Sequence, residues 1–438
     1  MIFTAFYLIV LLLVYIELRV VPQPRRVWTP ALPPSLTVSF LVCSYALQLA
    51  VQAVAATHQD PRAVVPGLPI PVVTRAIDVP GLVALLTIAL GACQSYVLLA
   101  FYRQKQSNAA VGAGLITMLG LSVAAPALTN GDVYAYVGNA LLGTAAYSPP
   151  SVPFPGEFAV INKLWHLPMT PTTYGPLWLV VARLVTGAFP TLFAKVLAFR
   201  LYGGVLLLIL LAVLRALGLP ARLVGIVALN PAIQLEFVAN AHNDLTPILL
   251  IALAALVARK RPLAAGALIA VAGLGKLPYV LLGLPVLAAS RSRVAAAGLA
   301  VALVMAGSWI GGGAAYLHAL TEHVRGAPSV DPVHVIASCA ALVALVMAFF
   351  GRRRLRSAVW LMSALGAYVD SWYMFWGFPY ALGRRRVLAN LLLWFPLVAA
   401  LLDLTLVQTW TLPLVASVIV AYLLSNRPGR DAARVGAP

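Results

Sequence analysis

Acidic residues are scarce in this chain, 12 Asp and Glu against 30 Lys and Arg, so the places where they meet other hydrogen-bonding groups stand out. Asp132 follows an apolar run within Asn130-Gly131-Asp132-Val133-Tyr134-Ala135-Tyr136, with Asn139, Gly143 and Tyr147-Ser148-Pro149-Pro150 after it. On a helix, Asp132, Tyr136 and Asn139 fall at i, i+4 and i+7 and share one face. A carboxylate with hydrogen-bonding neighbours, held at a membrane surface, is a candidate reaction centre. The plainer reading of Asp132 is a helix N-cap, a position carboxylates also favour. The company of Tyr134, Tyr136, Asn139 and Tyr147 tilts the balance toward a reaction centre.

A second constellation runs from Asn230-Pro231 through Glu236, Asn240, His242, Asn243 and Asp244. Glu236, Asn240 and Asp244 recur at four-residue spacing and are expected on one helical face; a hydrogen-bond network between helices is their plainer reading. His242 and Asp244 lack the i, i+4 spacing of helical zinc ligands, so no metal is assigned. In Thr172-Thr173-Tyr174-Gly175-Pro176-Leu177-Trp178, Pro176 suits a first helical turn, and Tyr174 and Trp178 either join an interfacial aromatic belt or offer rings to a ligand. Lys276, between Gly275 and Leu277-Pro278, either snorkels or binds an anionic headgroup. Gly273-Leu274-Gly275-Lys276 lacks the spacing of a nucleotide-binding P-loop. His318, Glu322, His323, Arg325, Asp331 and His334 are expected as a solvated loop face, too irregular to hold a metal.

These groups need elements to hold them, and composition says which. With 62% hydrophobic and 10% charged residues and a mean hydropathy of +0.94, the 438-residue chain cannot cover a soluble globule and must be solvated by lipid. Its apolar runs have helical length, which argues for a helical bundle and against a β-barrel. A formal charge of +18 does not imply nucleic acid, because Lys and Arg sit in short turns between apolar runs, the positive-inside pattern. Cys43, Cys93 and Cys339 are too far apart and too few for a disulfide frame or a metal site. Residues 1–20 lack a basic leader and are expected as the first span rather than a signal peptide.

Placing the basic turns at Arg25-Arg26, Arg103, Arg215–Arg222, Arg259-Lys260-Arg261, Arg291–Arg293, Arg352-Arg353-Arg354 and Arg384-Arg385-Arg386 in the cytoplasm gives about 13 crossings. The fold class expected is an all-α polytopic membrane bundle. Residues 1–128 form N-terminal spans, 129–175 an external loop with short interfacial helices, 176–424 the remaining bundle and 425–438 a cytoplasmic tail. Within it, 177–215 is expected as one full span plus a partial helix, and 316–334 as a second external loop. Asp132, His242 and Asp244 then share the external side.

Asn130-Gly-Asp132-Val-Tyr-Ala-Tyr136, Gly143, Tyr147-Ser-Pro-Pro150, Tyr174-Gly-Pro-Leu-Trp178, Asn230-Pro231, Ala241-His-Asn-Asp244 and Gly275-Lys276-Leu277-Pro278-Tyr279, in that order, resemble the GT-C superfamily of integral-membrane glycosyltransferases. Within it the chain looks most like the bacterial polyprenol-phosphomannose-dependent α-1,6-mannosyltransferases. The resemblance covers about residues 132–285 by motif. It implies transfer of a sugar, mannose by this likeness, from a polyprenyl-phosphate donor to an envelope glycan or glycolipid acceptor on the external face of the inner membrane, usually with inversion. Asp132 is then the expected base, with Asp244 able to exchange roles with it, and Lys276 and Arg325 are candidate phosphate partners. Tyr136, Tyr174 and Trp178 would stack on sugar, and Asn139, Glu236, Asn240, His242, Asn243 and Asp244 would bind its hydroxyls or orient the base. Neither nucleotide nor divalent metal is needed, and no cofactor is expected. The rival classes are a transporter or lipid flippase, which would show internal repeats and a midplane site, and a structural subunit of an envelope machine.

Overall fold

Long runs of Leu, Ala, Val and Ile satisfy their backbone only as helix in a lipid environment, and helix is what they form. The computed structural model describes residues 2–19, 33–59, 65–73, 81–104, 106–326, 332–352, 354–366 and 370–403. Helices α1 (Ile2–Arg19), α2 (Pro34–Thr57), α3 (Gly81–Arg103) and α4 (Asn108–Val123) come first. Short elements follow: α5 (Asp132–Leu142), 3-10 turns at Gly143–Tyr147 and Gly156–Ala159, and α6 (Val160–Trp165). Then come α7 (Pro176–Thr186), α8 (Leu192–Ala216), α9 (Ala221–Ala228), α10 (Pro231–Gln234) and a π-helical turn, Leu235–Ala239. The chain continues through α11 (Leu245–Val257), α12 (Pro262–Gly275), α13 (Tyr279–Gly283), α14 (Arg293–Gly326) and α15 (Pro332–Phe349). Short 3-10 stretches, including Ser371–Trp376, lead to α16 (Gly377–Ala381) and α17 (Arg385–Asp403).

Among the described residues, six helices are long and apolar enough to cross a membrane, in α2, α3, α8, α14, α15 and α17. The bent pair Ala221–Ala228 and Pro231–Ala239, at 48°, makes a seventh if it is one span. Helices α4, α7, α11 and α12 are apolar but have only 11 to 16 residues, short of the ~20 a lone span needs. The expectation of about 13 crossings treats such helices as spans. The final hairpin and the tail 425–438 lie outside the described residues. The expected partial helix and full span of 177–215 are α7 and α8.

Two expectations are corrected. Glu236, Asn240 and Asp244 do not share one continuous helical face. Pro231 has no N–H to give the preceding turn, and Asn230 caps the new start, its Oδ1 accepting from Ala232 and Ile233 amides at 3.1 and 3.4 Å. The π turn then underwinds the helix and shifts the register, and Ala241, at φ +57°, reverses the chain in the left-handed region that non-glycine residues avoid. Residues 316–326 are also helical rather than loop. Gly313, at φ +54°, breaks α14, and the segment beyond it turns Tyr316 inward to lie 5.0 Å from the Tyr147 ring.

Helix α8 ties the parts together. Arg200 is buried and donates to the Val123 and Ala125 carbonyls at 3.1 and 2.7 Å and to Ala239 at 2.8 Å. It thereby fixes the end of α4 beside the end of the π turn. The contact needs a close approach, which Gly203 permits: a Cβ there would meet the Phe237 carbonyl oxygen and Val238 Cα. The loop 68–73 closes over α5, where Tyr134 Oη donates to the Ile70 carbonyl at 2.7 Å and Leu128 pairs with Val72 in a single parallel bridge.

Gly203→Ala should therefore destabilise the fold by about 1–3 kcal/mol, the cost of overpacking, read as a lowered unfolding midpoint in detergent. Gly204→Ala, whose Cβ would meet only side-chain atoms at 3.6 and 3.9 Å, should leave the midpoint unchanged; equal effects would discount the close approach.

Candidate active site

Asp132 is the first residue of α5, with Gly131 at the N-cap position. Its carboxylate does not cap the helix. Oδ2 accepts from Tyr136 Oη, one turn on, at 3.4 Å and lies 3.5 Å from His242 Nδ1. The other imidazole nitrogen, Nε2, lies 3.5 Å from Glu236 Oε2, so one ring sits between two carboxylates from different elements. These are charge contacts, too long for well-aligned hydrogen bonds. Trp372 stacks on the same ring, 3.7 Å away and 17° from parallel.

Glu236 is held on its far side as well. Oε1 accepts from Ser371 Oγ at 3.0 Å and Oε2 from Asn240 Nδ2 at 3.1 Å. Asn240 in turn clamps Thr129, accepting its backbone N–H at 3.0 Å and donating to its hydroxyl at 2.6 Å. The chain entering α5 is thus fastened to the π turn.

A second charge centre lies across Tyr136 and Tyr174. Asp244 is wholly buried, and its Oδ1 accepts from Lys276 Nζ at 2.8 Å, Tyr279 Oη at 3.0 Å and Trp376 Nε1 at 2.8 Å. Lys276 follows the end of α12 and is ringed by Tyr373, Trp376 and Tyr174, at 4.5, 5.1 and 5.6 Å from Nζ to ring centre. The aromatic faces stabilise the ammonium that Asp244 neutralises. The amide of Gly175 donates to the Gly275 carbonyl at 3.0 Å, which brings Tyr174 and Lys276 together. Tyr174 Oη donates to Tyr136 Oη at 3.4 Å, linking the two centres.

Tyr136 and Trp178 are buried in an aromatic cluster with Phe199, their rings 5.1 Å apart, while Tyr174 keeps part of its surface. Asn139 donates to Thr172 at 3.2 Å. Six of the twelve buried side-chain polar atoms that lack a hydrogen-bond partner among the described residues belong to Asn139, Trp178, His242, Asn243 and Asp244. Such atoms are rare in a satisfied core, and their concentration makes this place the candidate site. A void of about 10 Å³ touches Trp178, Asn243 and Lys276, room for about one water.

Most of the residues singled out in the sequence thus converge. The Arg325 side chain and Asp331 lie outside the described residues. His318 and Glu322 are exposed on the last part of α14, and His334 on α15 contacts the Gly366 carbonyl at 3.1 Å. Among the described residues no group of three His, Cys, Asp or Glu is placed to hold a metal ion. Sequence reasoning missed Arg200, Tyr279, Ser371 and the pair Trp372 and Trp376. An arginine well inside the apolar run 192–216, away from its ends, was the available signal for the first.

With this geometry in view, one comparison decides the family. Residues 36–292, more than half of the chain and all of the site except the 371–376 turn, match the family model described as alpha-(1->6)-mannopyranosyltransferase, N-terminal domain. The chain belongs to that mannosyltransferase family. No curated protein and no solved structure matches it. The protein is therefore a membrane-embedded glycosyltransferase whose family acts with mannose, and the transporter reading is not favoured.

His242 lies in the turn after the π helix, outside the candidate spans. Burial opposes its charge, but Asp132 and Glu236 outweigh burial and raise it to about 9, so the mannosyltransferase carries an imidazolium here at neutral pH. A raised folded-state value stabilises the protein fully below the ordinary value of 6.5 and loses that contribution as pH rises through about 9. The unfolding midpoint should fall between about pH 7 and about pH 10, and by less in His242→Gln; parallel curves for the two would show that His242 carries no charge.

Proposed function

We propose that this chain transfers mannose from a polyprenyl-phosphate donor to an envelope glycan or glycolipid acceptor on the external side of the inner membrane, with inversion and with Asp132 as the general base. The supporting observation is a difference among three carboxylates. The Asp132 side chain keeps 11% of its surface, whereas Glu236 keeps 1% and Asp244 none. Asp244 Oδ1 already accepts from an ammonium, a phenol and an indole, so that oxygen has no lone pair left for an acceptor hydroxyl. Asp132 holds only the long contact from Tyr136 and its share of His242.

Inverting displacement at an anomeric carbon needs a base to take the acceptor hydroxyl proton as the oxygen attacks from the face opposite the leaving phosphate. Asp132 takes that proton, and the imidazolium of His242 orients its carboxylate and offsets the nearby Glu236 charge. The phosphate leaves without an acid but gains from a cation. Lys276 supplies it: its side chain keeps 10% exposure, and its ammonium has donors beyond the one given to Asp244. Tyr174 offers a partly exposed ring to the sugar, and Asn139, Asn243 and Asp244 hold unpaired oxygen atoms for its hydroxyls.

Asp132→Asn should lower transfer from a polyprenyl-phosphate mannose in proteoliposomes by about 10²-fold or more while the protein folds normally; full activity would sink Asp132 as base. Asp244→Asn should act differently, stranding the Lys276 charge and costing about 3–5 kcal/mol of stability, seen first as a loss of folded protein.

A further inference from the structure

Helices α4, α8 and α9 run from the acidic site to a far end where Arg103 of α3, Arg215 of α8 and Arg222 of α9 gather. Helix α4 ends at Val123, whose carbonyl accepts from Arg200, and begins 15 residues earlier, about 22 Å away at 1.5 Å per residue. Arg215 lies about 22 Å along α8 from Arg200 by the same rise. Arg222 opens α9, the first half of the broken helix that leads to Glu236. At this far end lies a cleft of about 800 Å³.

Its chemistry is two-sided. Arg103, Arg215 and Arg222 stand at the rim, all exposed, and no acid lines the cleft. Arg222 is held against the Tyr102 ring, 4.7 Å from its centre. The floor is apolar, with Val111, Leu211 and Val224 among its residues. Cations at helix ends commonly do no more than fix orientation, but those are spread around a bundle. Here three converge on one recess whose volume is that of a ligand pocket.

We propose that this cleft binds an anionic phospholipid, its phosphodiester headgroup among Arg103, Arg215 and Arg222 and the start of an acyl chain on the apolar floor. Guanidinium forks match phosphate oxygens, and the floor has no use for a free inorganic anion. In the orientation expected from the basic turns, the cleft faces the cytoplasmic leaflet, where basic residues attract acidic lipid. The lipid would brace the ends of α3, α4, α8 and α9 at the far end of the helices that carry the reaction centre.

The test is native mass spectrometry of the purified full chain with palmitoyl-oleoyl phosphatidylglycerol or phosphatidylcholine added. Phosphatidylglycerol should be retained over phosphatidylcholine, and the combined Arg103→Gln, Arg215→Gln and Arg222→Gln variant should weaken its retention roughly a hundredfold, about fivefold per cation. A steric variant decides independently, should the triple variant fold poorly. A Cβ at Gly112 meets nothing within 4 Å, so Gly112→Leu should fit the helix, fill the cleft and displace phosphatidylglycerol with every charge intact. Equal retention of the two lipids by the wild type, or full retention by Gly112→Leu, would overturn the proposal. So would displacement by millimolar inorganic phosphate, which would assign the cleft to a free anion.

Discussion

One imidazole ring between two carboxylates is the contact on which the centre of this protein depends. Asp132 opens α5 and Glu236 lies in the π turn, about a hundred residues later, and buried acids at such depth are costly unless a counter-charge is supplied. His242 supplies it to both at 3.5 Å. The ring is held flat by Trp372 and Glu236 is fixed by Ser371, so a fourth segment is recruited to the same point. None of these segments forms the site alone. Each of the three side chains thus draws its position from the other two.

The apolar bundle makes this affordable through close approach of backbones. Gly203 lets α8 touch the π turn, and Gly175 lets the start of α7 meet the end of α12, where a Cβ would collide with the Leu274 carbonyl. Small residues at helix contacts are the usual means of packing where lipid removes any hydrophobic drive between helices. Arg200 exploits the first approach and Lys276 the second. Each long cation thus reaches a polar partner from a helix that is otherwise hydrocarbon.

Periodicity and residue chemistry carried much of this into view from sequence. Asp132, Tyr136 and Asn139 share the face that their spacing implied, because α5 is a regular helix. Lys276, flanked by Gly275 and Pro278, marked a real break between α12 and α13. Glu236 and Asn240 stay together through a hydrogen bond, whereas Asp244 joins the separate centre at Lys276: no propensity rule distinguishes a π turn from an α turn over five residues, and a left-handed alanine is unreadable without its surroundings. Trp372 and Trp376 were hidden because aromatic residues in an apolar stretch look like core. Arg200 was hidden because a single arginine resembles a snorkelling residue until its three carbonyl partners are seen.

The π turn also has a bearing on how such a centre arises and is lost. Relative to an α-helix, Leu235–Ala239 behaves as a one-residue insertion absorbed without lengthening the loop. Each helical residue turns the chain by about 100°, so deleting one residue there would let the segment relax into ordinary helix and rotate Asn240 and everything beyond it by that amount. The clamp on Thr129 and the ring between the two acids would then lose their register together. A single-residue deletion in the π turn would therefore undo both polar contacts without removing any residue that makes them.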